Sequence, residues 1–237
     1  MSARSLYEAA AAAALSAFRK IVRWVITSYF RIFYALKIEG RPPWRGSGPV
    51  VFAPNHVSFT DPLFMQAAWP PHLTFLMTES IWKLKAINWF FRLWGAIPVP
   101  DGEAVKASSI KDALKAIRSG RPVVIFPEGQ IARDGRLQQG NPGVAALMAR
   151  AKVPVIPVAI LGSYDVLPYR ANFPRIARVV VRFGEPIPPL DGDLDREGLR
   201  RFADRVMDAI AALGAPRGAA PVPPEAAGPA APPPAGA

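Results

Sequence analysis

Apolar and polar positions along the chain alternate between helical and extended patterns. Residues 6–37, "LYEAAAAAALSAFRKIVRWVITSYFRIFYALK", hold no proline or glycine and predict one long helix or two in succession. "PVVFAPN" (49–55) is a short apolar run closed by Pro and Asn, which predicts a strand. Residues 103–119 predict a helix with Ile110, Ala113, Leu114 and Ile117 on one face and Gly120 as its stop. "RPVVIFPEG" (121–129) predicts a strand running into a turn. "NPGVAALMARAK" opens with Asn141 as a cap and Pro142 at the first helical position. "VPVIPVAIL" (153–161) is rich in β-formers, but Pro154 and Pro157 predict an edge or irregular strand. "RIARVVVRFG" (175–184) predicts a further strand, and residues 195–213 a final amphipathic helix ending at Gly214. Strands interleaved with helices predict an α/β fold, a mixed central β-sheet flanked by helices.

The same pattern divides the chain. Residues 1–40 read as an N-terminal amphipathic helical segment at a membrane interface. The longest charge-free run there, Ala9 to Phe18, is too short to cross a bilayer. Lys20, Arg23, Thr27 and Arg31 share one helical face, and Val22, Trp24, Val25, Ile26, Tyr29, Phe30 and Phe33 cover much of the rest. That arrangement suits a helix lying among headgroups. The competing reading is a helix packed on the protein's own core. "IWKLKAINWFFRLWG" (81–95) mixes tryptophan and phenylalanine with Lys83, Lys85 and Arg92, a combination that suits either a lipid–water boundary or core packing. Residues 41–214 hold the folded domain. Residues 215–237 are rich in proline and alanine, cannot bury a core, and are expected to be disordered.

Net charge is +11, and the tail after Gly214 carries only Arg217 and Glu225, so the excess sits on residues 1–214. A basic, apolar protein points to nucleic acid or to an anionic membrane. The basic residues are interleaved with aromatic and aliphatic ones, and the common nucleic-acid motifs are missing, so membrane is expected and nucleic acid is not. With no cysteine and two histidines, neither a thiolate nucleophile nor a multi-histidine metal site is expected, and no cofactor is implied.

One histidine, His56 in "APNHVSFTDP", stands five residues before Asp61. An alcohol attacking an acyl carbonyl needs a base to take its proton, and histidine does this near neutral pH. An acid on the other ring nitrogen fixes the tautomer and stabilises the imidazolium. The spacing supplies this if His56 ends a strand and Asp61 begins the next helix, where Pro62 is a suitable start. Asp61 could equally be only the helix cap, with His56 an ordinary turn residue. His72, in "WPPHL", reads as a loop histidine. In "FPEGQIARDGRL" (126–137), the Gly129 amide, Arg133 and Arg136 could hold an anionic group, or the arginines could simply be solvated. Tyr164 and Asp165 in "LGSYD" read as ordinary packing, with pocket lining as the alternative. There is no nucleophile elbow or P-loop, so acyl transfer would proceed by direct attack without an acyl-enzyme.

Asn55, His56 and Asp61 in "NHVSFTD", followed by Phe126, Pro127, Glu128 and Gly129 in "FPEG", resemble the glycerolipid acyltransferase family, that of 1-acyl-sn-glycerol-3-phosphate acyltransferases. "GAIPVPD" (95–101) stands at its second block, and Val153, Pro154, Pro157 and Val158 in "VPVIPVAI" match its fourth. The resemblance spans about residues 20–190 and makes residues 41–214 an acyltransferase domain. It implies His56 as general base, Asp61 as its partner, and Glu128 and Gly129 shaping the acceptor site; Asn55, Arg133 and Arg136 join them as candidate substrate-binding residues. The donor would be acyl-coenzyme A or acyl carrier protein. The acceptor would be the hydroxyl of a lysophospholipid, by default 1-acyl-sn-glycerol-3-phosphate. The enzyme would sit monotopically on the membrane, at the cytoplasmic face of the inner membrane.

The chain departs from the family pattern in two places. The arginine of the second block falls on Asp101, and that of the third on Ile131, with Arg133 two residues later. A phosphate monoester rewards arginine forks. Either Arg133 or Arg136 takes over part of that role, or the acceptor is another lysolipid such as a phosphodiester. A thioesterase, with His56 activating water, and a non-catalytic lipid-binding protein are the competing functions.

Overall fold

The computed structural model describes residues 3–40, 48–69, 73–100, 107–190 and 195–218. His72, Asp101, the start of the helix expected at 103, and the tail beyond 218 lie outside these. One helix, α1 (Ala3–Phe33), covers most of the N-terminal segment. It ends at Ala35, whose φ of 44° breaks the helical path. Strands β1 (Lys37–Glu39), β2 (Val51–Pro54) and β3 (Thr74–Thr78) follow, with α2 (Asp61–Ala68) between the last two. Then come α3 (Glu79–Trp82), α4 (Lys85–Trp94), β4 (Ile97–Val99), α5 (Ala107–Arg118) and β5 (Val123–Val124). The chain continues through α6 (Pro142–Arg150), β6 (Val155–Leu161), α7 (Ser163–Val166), β7 (Val180–Phe183) and α8 (Arg196–Ala212).

The strands form a seven-stranded sheet in the order β1-β7-β6-β2-β5-β3-β4. β6, β2, β5, β3 and β4 run parallel, and β7 pairs antiparallel to β6. The sheet is therefore mixed. Central β2 is buried at every position, as a strand covered on both faces must be. Alternate residues feed two cores. Val51, Ala53, Val123, Val155 and Ala159 face α5, α6 and α8. Phe52, Val124, Ile156, Val158 and Ile160 face α1 and α2. The cap expected for α6 is present, with Asn141 Oδ1 accepting the Gly143 and Val144 amides.

Three expectations need correction. β6 lies inside the sheet, between β7 and β2, and neither proline disrupts it. Pro154 precedes the strand. The Pro157 carbonyl faces Gly184, and the β6–β7 ladder begins one residue later, at Val158 opposite Phe183. The missing Pro157 N–H therefore points where no ladder bond is required. The strand expected over 175–184 is only Val180–Phe183. β1, β3 and β4 add strands that the sequence pattern did not separate from helices.

Helix α1 carries two apolar stripes. Phe30 is buried, and Val22 and Ile26 pack with it on the second core. Its ring meets Phe64 of α2 edge-on at 4.6 Å. Ile21, Trp24 and Ile32 lie outside that contact and are 61%, 69% and 74% exposed. Among the described residues no helix is long and apolar enough to cross a membrane. Residues 215–218 lie against the domain: Ala215 is buried, the Leu137 N–H donates to the Pro216 carbonyl, and the Gly218 N–H donates to the Leu137 carbonyl.

Candidate active site

Because β6, β2 and β5 are adjacent and parallel, their carboxyl ends open on one edge of the sheet. The loops after them bring together His56, the 126–138 turn and α7. Such a crevice is where open α/β sheets bind ligands.

At the end of β2, Asn55 replaces the next rung of the ladder. Its Nδ2 donates to the Ile160 carbonyl at 3.1 Å, and its Oδ1 accepts the Ile160 N–H at 2.7 Å. The amide is buried, with both ends engaged. The chain then turns sharply, and His56 Nδ1 lies 3.0 Å from Asp61 Oδ2. A carboxylate only accepts, so Nδ1 carries the proton and Nε2 keeps its lone pair. The same Oδ2 accepts the Val57 and Ser58 amides at 2.7 and 2.8 Å. Asp61 is fully buried. The cap reading of Asp61 is thus replaced. Asp61 is the first residue of α2, Thr60 takes the cap position without a side-chain bond, and the carboxylate turns back onto the loop.

The imidazole plane is fixed from another side. The Phe126 ring stacks on it at 3.8 Å, tilted by 19°. Phe126 leads into the Pro-Glu-Gly turn, where Gly129 has φ of +73°. Glu128 follows two residues later and is buried. Its Oε1 accepts the His56 N–H at 2.7 Å, and its Oε2 accepts the Gln138 N–H at 2.9 Å. Burial pushes this carboxyl up to about 7. Nearby Asp61 and Asp134 push the same way, and the two N–H bonds oppose them. A further backbone bond, Ala132 N–H to the His56 carbonyl at 2.8 Å, pins the arginine-bearing turn beside His56.

The residues expected to bind substrate therefore divide. Asn55 and Glu128 are buried and bond to backbone groups of the loops around His56. Gly129, Arg133 and Arg136 are exposed. The Arg133 guanidinium carbon stands 5.4 Å from the centroid of the Tyr169 ring. Tyr169 in turn stacks on Phe59, between His56 and Asp61 in sequence, at 6.1 Å. The sequence reading missed Tyr169 and Phe59 and treated Tyr164 as packing. No spacing rule links residues that meet only through the fold. Phe59, lying between His56 and Asp61 in the sequence, was the one available hint.

Comparison with known proteins bears on the family and the fold. The Acyltransferase family model matches residues 35–161. A chloroplastic 1-acyl-sn-glycerol-3-phosphate acyltransferase of Brassica napus is 27% identical over 138 residues, 57% of this chain and 40% of its own length. The chain thus spans about two fifths of that relative. A lyso-ornithine lipid O-acyltransferase of Pseudomonas aeruginosa is 26% identical over 206 residues, covering 80% of this chain and 77% of the relative. The crystal structure of the 1-acyl-sn-glycerophosphate (LPA) acyltransferase PlsC from Thermotoga maritima superposes with a TM-score of 0.63 over 82% of this chain and 81% of that one, at 22% identity, and shows the same fold. The family match covers more than half of the chain and contains the ends of β2, β5 and β6, and on that ground this protein belongs to the acyltransferase family.

Proposed function

We propose that this chain is a membrane-surface O-acyltransferase that moves a fatty acyl group from a thioester to the hydroxyl of a lysolipid. The observation that carries the reading is the His56–Asp61 pair, with Nδ1 committed to a fully buried carboxylate and the imidazole partly exposed. In this mechanism Nε2 removes the acceptor's hydroxyl proton as the oxygen attacks the thioester carbonyl. Asp61 stabilises the imidazolium that forms. The tetrahedral intermediate collapses, the C–S bond breaks, and the imidazolium returns its proton to the departing thiolate. The products are an acylated lipid and a free thiol, with no acyl-enzyme between them.

Acyl-coenzyme A or acyl carrier protein serves as donor, and 1-acyl-sn-glycerol-3-phosphate is the default acceptor. The exposed turn bearing Arg133 and Arg136 suits an anionic acceptor group. A lysophospholipid with a phosphodiester, or the acceptor named for the Pseudomonas relative, fits the displaced arginines as well. The outward stripe of α1 supports monotopic attachment to the bilayer that holds the acceptor, at the cytoplasmic face. A matrix of both donors against a panel of lysolipids, following thiol release and lipid product together, tests the reading. Acylated lipid formed one-for-one with thiol supports it. Thiol release without lipid product would mark a thioesterase.

A further inference from the structure

The turn at 133–136 is held from the side by α7 and the loop after it. Gly135 has φ of +72°, a left-handed conformation suited to glycine. The Tyr164 ring lies directly over it: a Cβ built on Gly135 would stand 2.6 Å from Tyr164 Cγ and 2.8 Å from both Cδ atoms. The Tyr164 hydroxyl then donates to the Arg133 carbonyl at 3.2 Å. Backbone and side chain of Arg133 are thus fixed by two different tyrosines, since the Tyr169 face lies under the guanidinium. Within the turn, Asp134 Oδ1 accepts the Arg136 N–H at 3.1 Å and the Gln138 side-chain N–H at 3.0 Å. Ala132 ties the whole to the His56 carbonyl.

We propose that Tyr164 and Tyr169 are positioning residues that set acceptor specificity: Tyr164, seated on Gly135, fixes the Arg133 backbone, and Tyr169 fixes its guanidinium, so that one positive charge stands at a set distance from His56. The proposal rests on the acyltransferase reading and names the acceptor class as lysolipids with an anionic group near the reacting hydroxyl. A free arginine on a solvated turn would sample many rotamers and contribute little selectivity. A guanidinium held on an aromatic face keeps its N–H edge free to fork onto phosphate or carboxylate oxygens.

Steady-state kinetics on the full chain test this, with acceptor and donor varied separately. Tyr169→Leu, Tyr164→Phe and Arg133→Ala each raise the acceptor KM, by about 3- to 10-fold for the tyrosines. Donor KM and kcat stay within about twofold. Tyr169→Phe, which keeps the aromatic face, retains wild-type KM. In the Arg133→Ala background, Tyr169→Leu adds nothing further, because its effect runs through the arginine. The proposal is overturned if the tyrosine variants leave acceptor KM unchanged, if they lower kcat alone, or if their effects add to that of Arg133→Ala. If the wild-type chain acylates no lysolipid at all, the acyltransferase reading falls and this proposal with it.

Discussion

Glu128 joins the His56 loop to the arginine-bearing turn: one carboxylate oxygen takes the His56 N–H at 2.7 Å and the other the Gln138 N–H at 2.9 Å. Together with the Ala132 N–H to His56 carbonyl bond, this buried side chain sets the spacing between His56 and that turn. Glu128→Gln places an amide N–H against one of those backbone donors. The substitution is expected to destabilise the fold by about 1–3 kcal/mol and to lower kcat and raise acceptor KM together. Wild-type kinetics with a merely lowered melting temperature would contradict this.

The same carboxyl predicts a pH dependence. Its folded value, pushed up to about 7 by burial, exceeds its ordinary value of 4.5. An acid raised on folding holds its proton more tightly in the native state. Its stabilising contribution is full below about pH 4.5 and is lost as pH rises through about 7. Urea unfolding followed across this window should show a fall on the order of 3 kcal/mol, and Glu128→Gln should flatten it. A wild-type profile already flat there would count against the assignment.

Asp61→Asn isolates the charge from the geometry. An amide oxygen in the place of Oδ2 can still accept from His56, Val57 and Ser58, but it no longer stabilises an imidazolium. Activity is expected to drop by roughly 10²–10⁴ with little change in either KM. A loss confined to KM would mean that Asp61 only shapes the loop.

Asn55→Ala acts on the scaffold. It orphans the buried N–H and C=O of Ile160, for about 2–4 kcal/mol of lost stability. Denaturant titration measures this directly. Full stability would show that β2 and β6 do not depend on the side-chain rung.

The outward stripe of α1 makes a separate prediction. Trp24→Ser with Ile32→Ser should reduce co-sedimentation with anionic vesicles by about tenfold or more and leave melting unchanged, because neither side chain is in the core. Phe30→Ser should do the reverse, since that ring is buried against Phe64. Unchanged sedimentation of the double variant would remove the membrane role from this face.

Much of this was legible before folding, and the misses have physical causes. The helices at 107–118, 142–150 and 196–212 followed from periodicity and caps, which are local. The His56–Asp61 spacing allowed a pair but left a helix cap equally open, and the contact through Oδ2 decided between them. α1 packs one stripe on the core, as one of its two readings expected, and leaves other apolar side chains exposed. β6 was misplaced because proline speaks against a central strand unless its missing N–H faces the end of a ladder, and only the register reveals that. The backbone partners of Asn55 and Glu128 were not legible, because such bonds leave no mark in a sequence. Tyr164 and Gly135, or Arg133 and Tyr169, meet through the sheet order alone.

The most direct measurement is acyl transfer by His56→Ala beside wild type, with purified folded protein, saturating thioester, and the preferred lysolipid. The account predicts a loss of at least about a hundredfold, with acylated lipid and thiol falling together and no acyl-enzyme trapped in either protein. Transfer by His56→Ala within tenfold of wild type would contradict it.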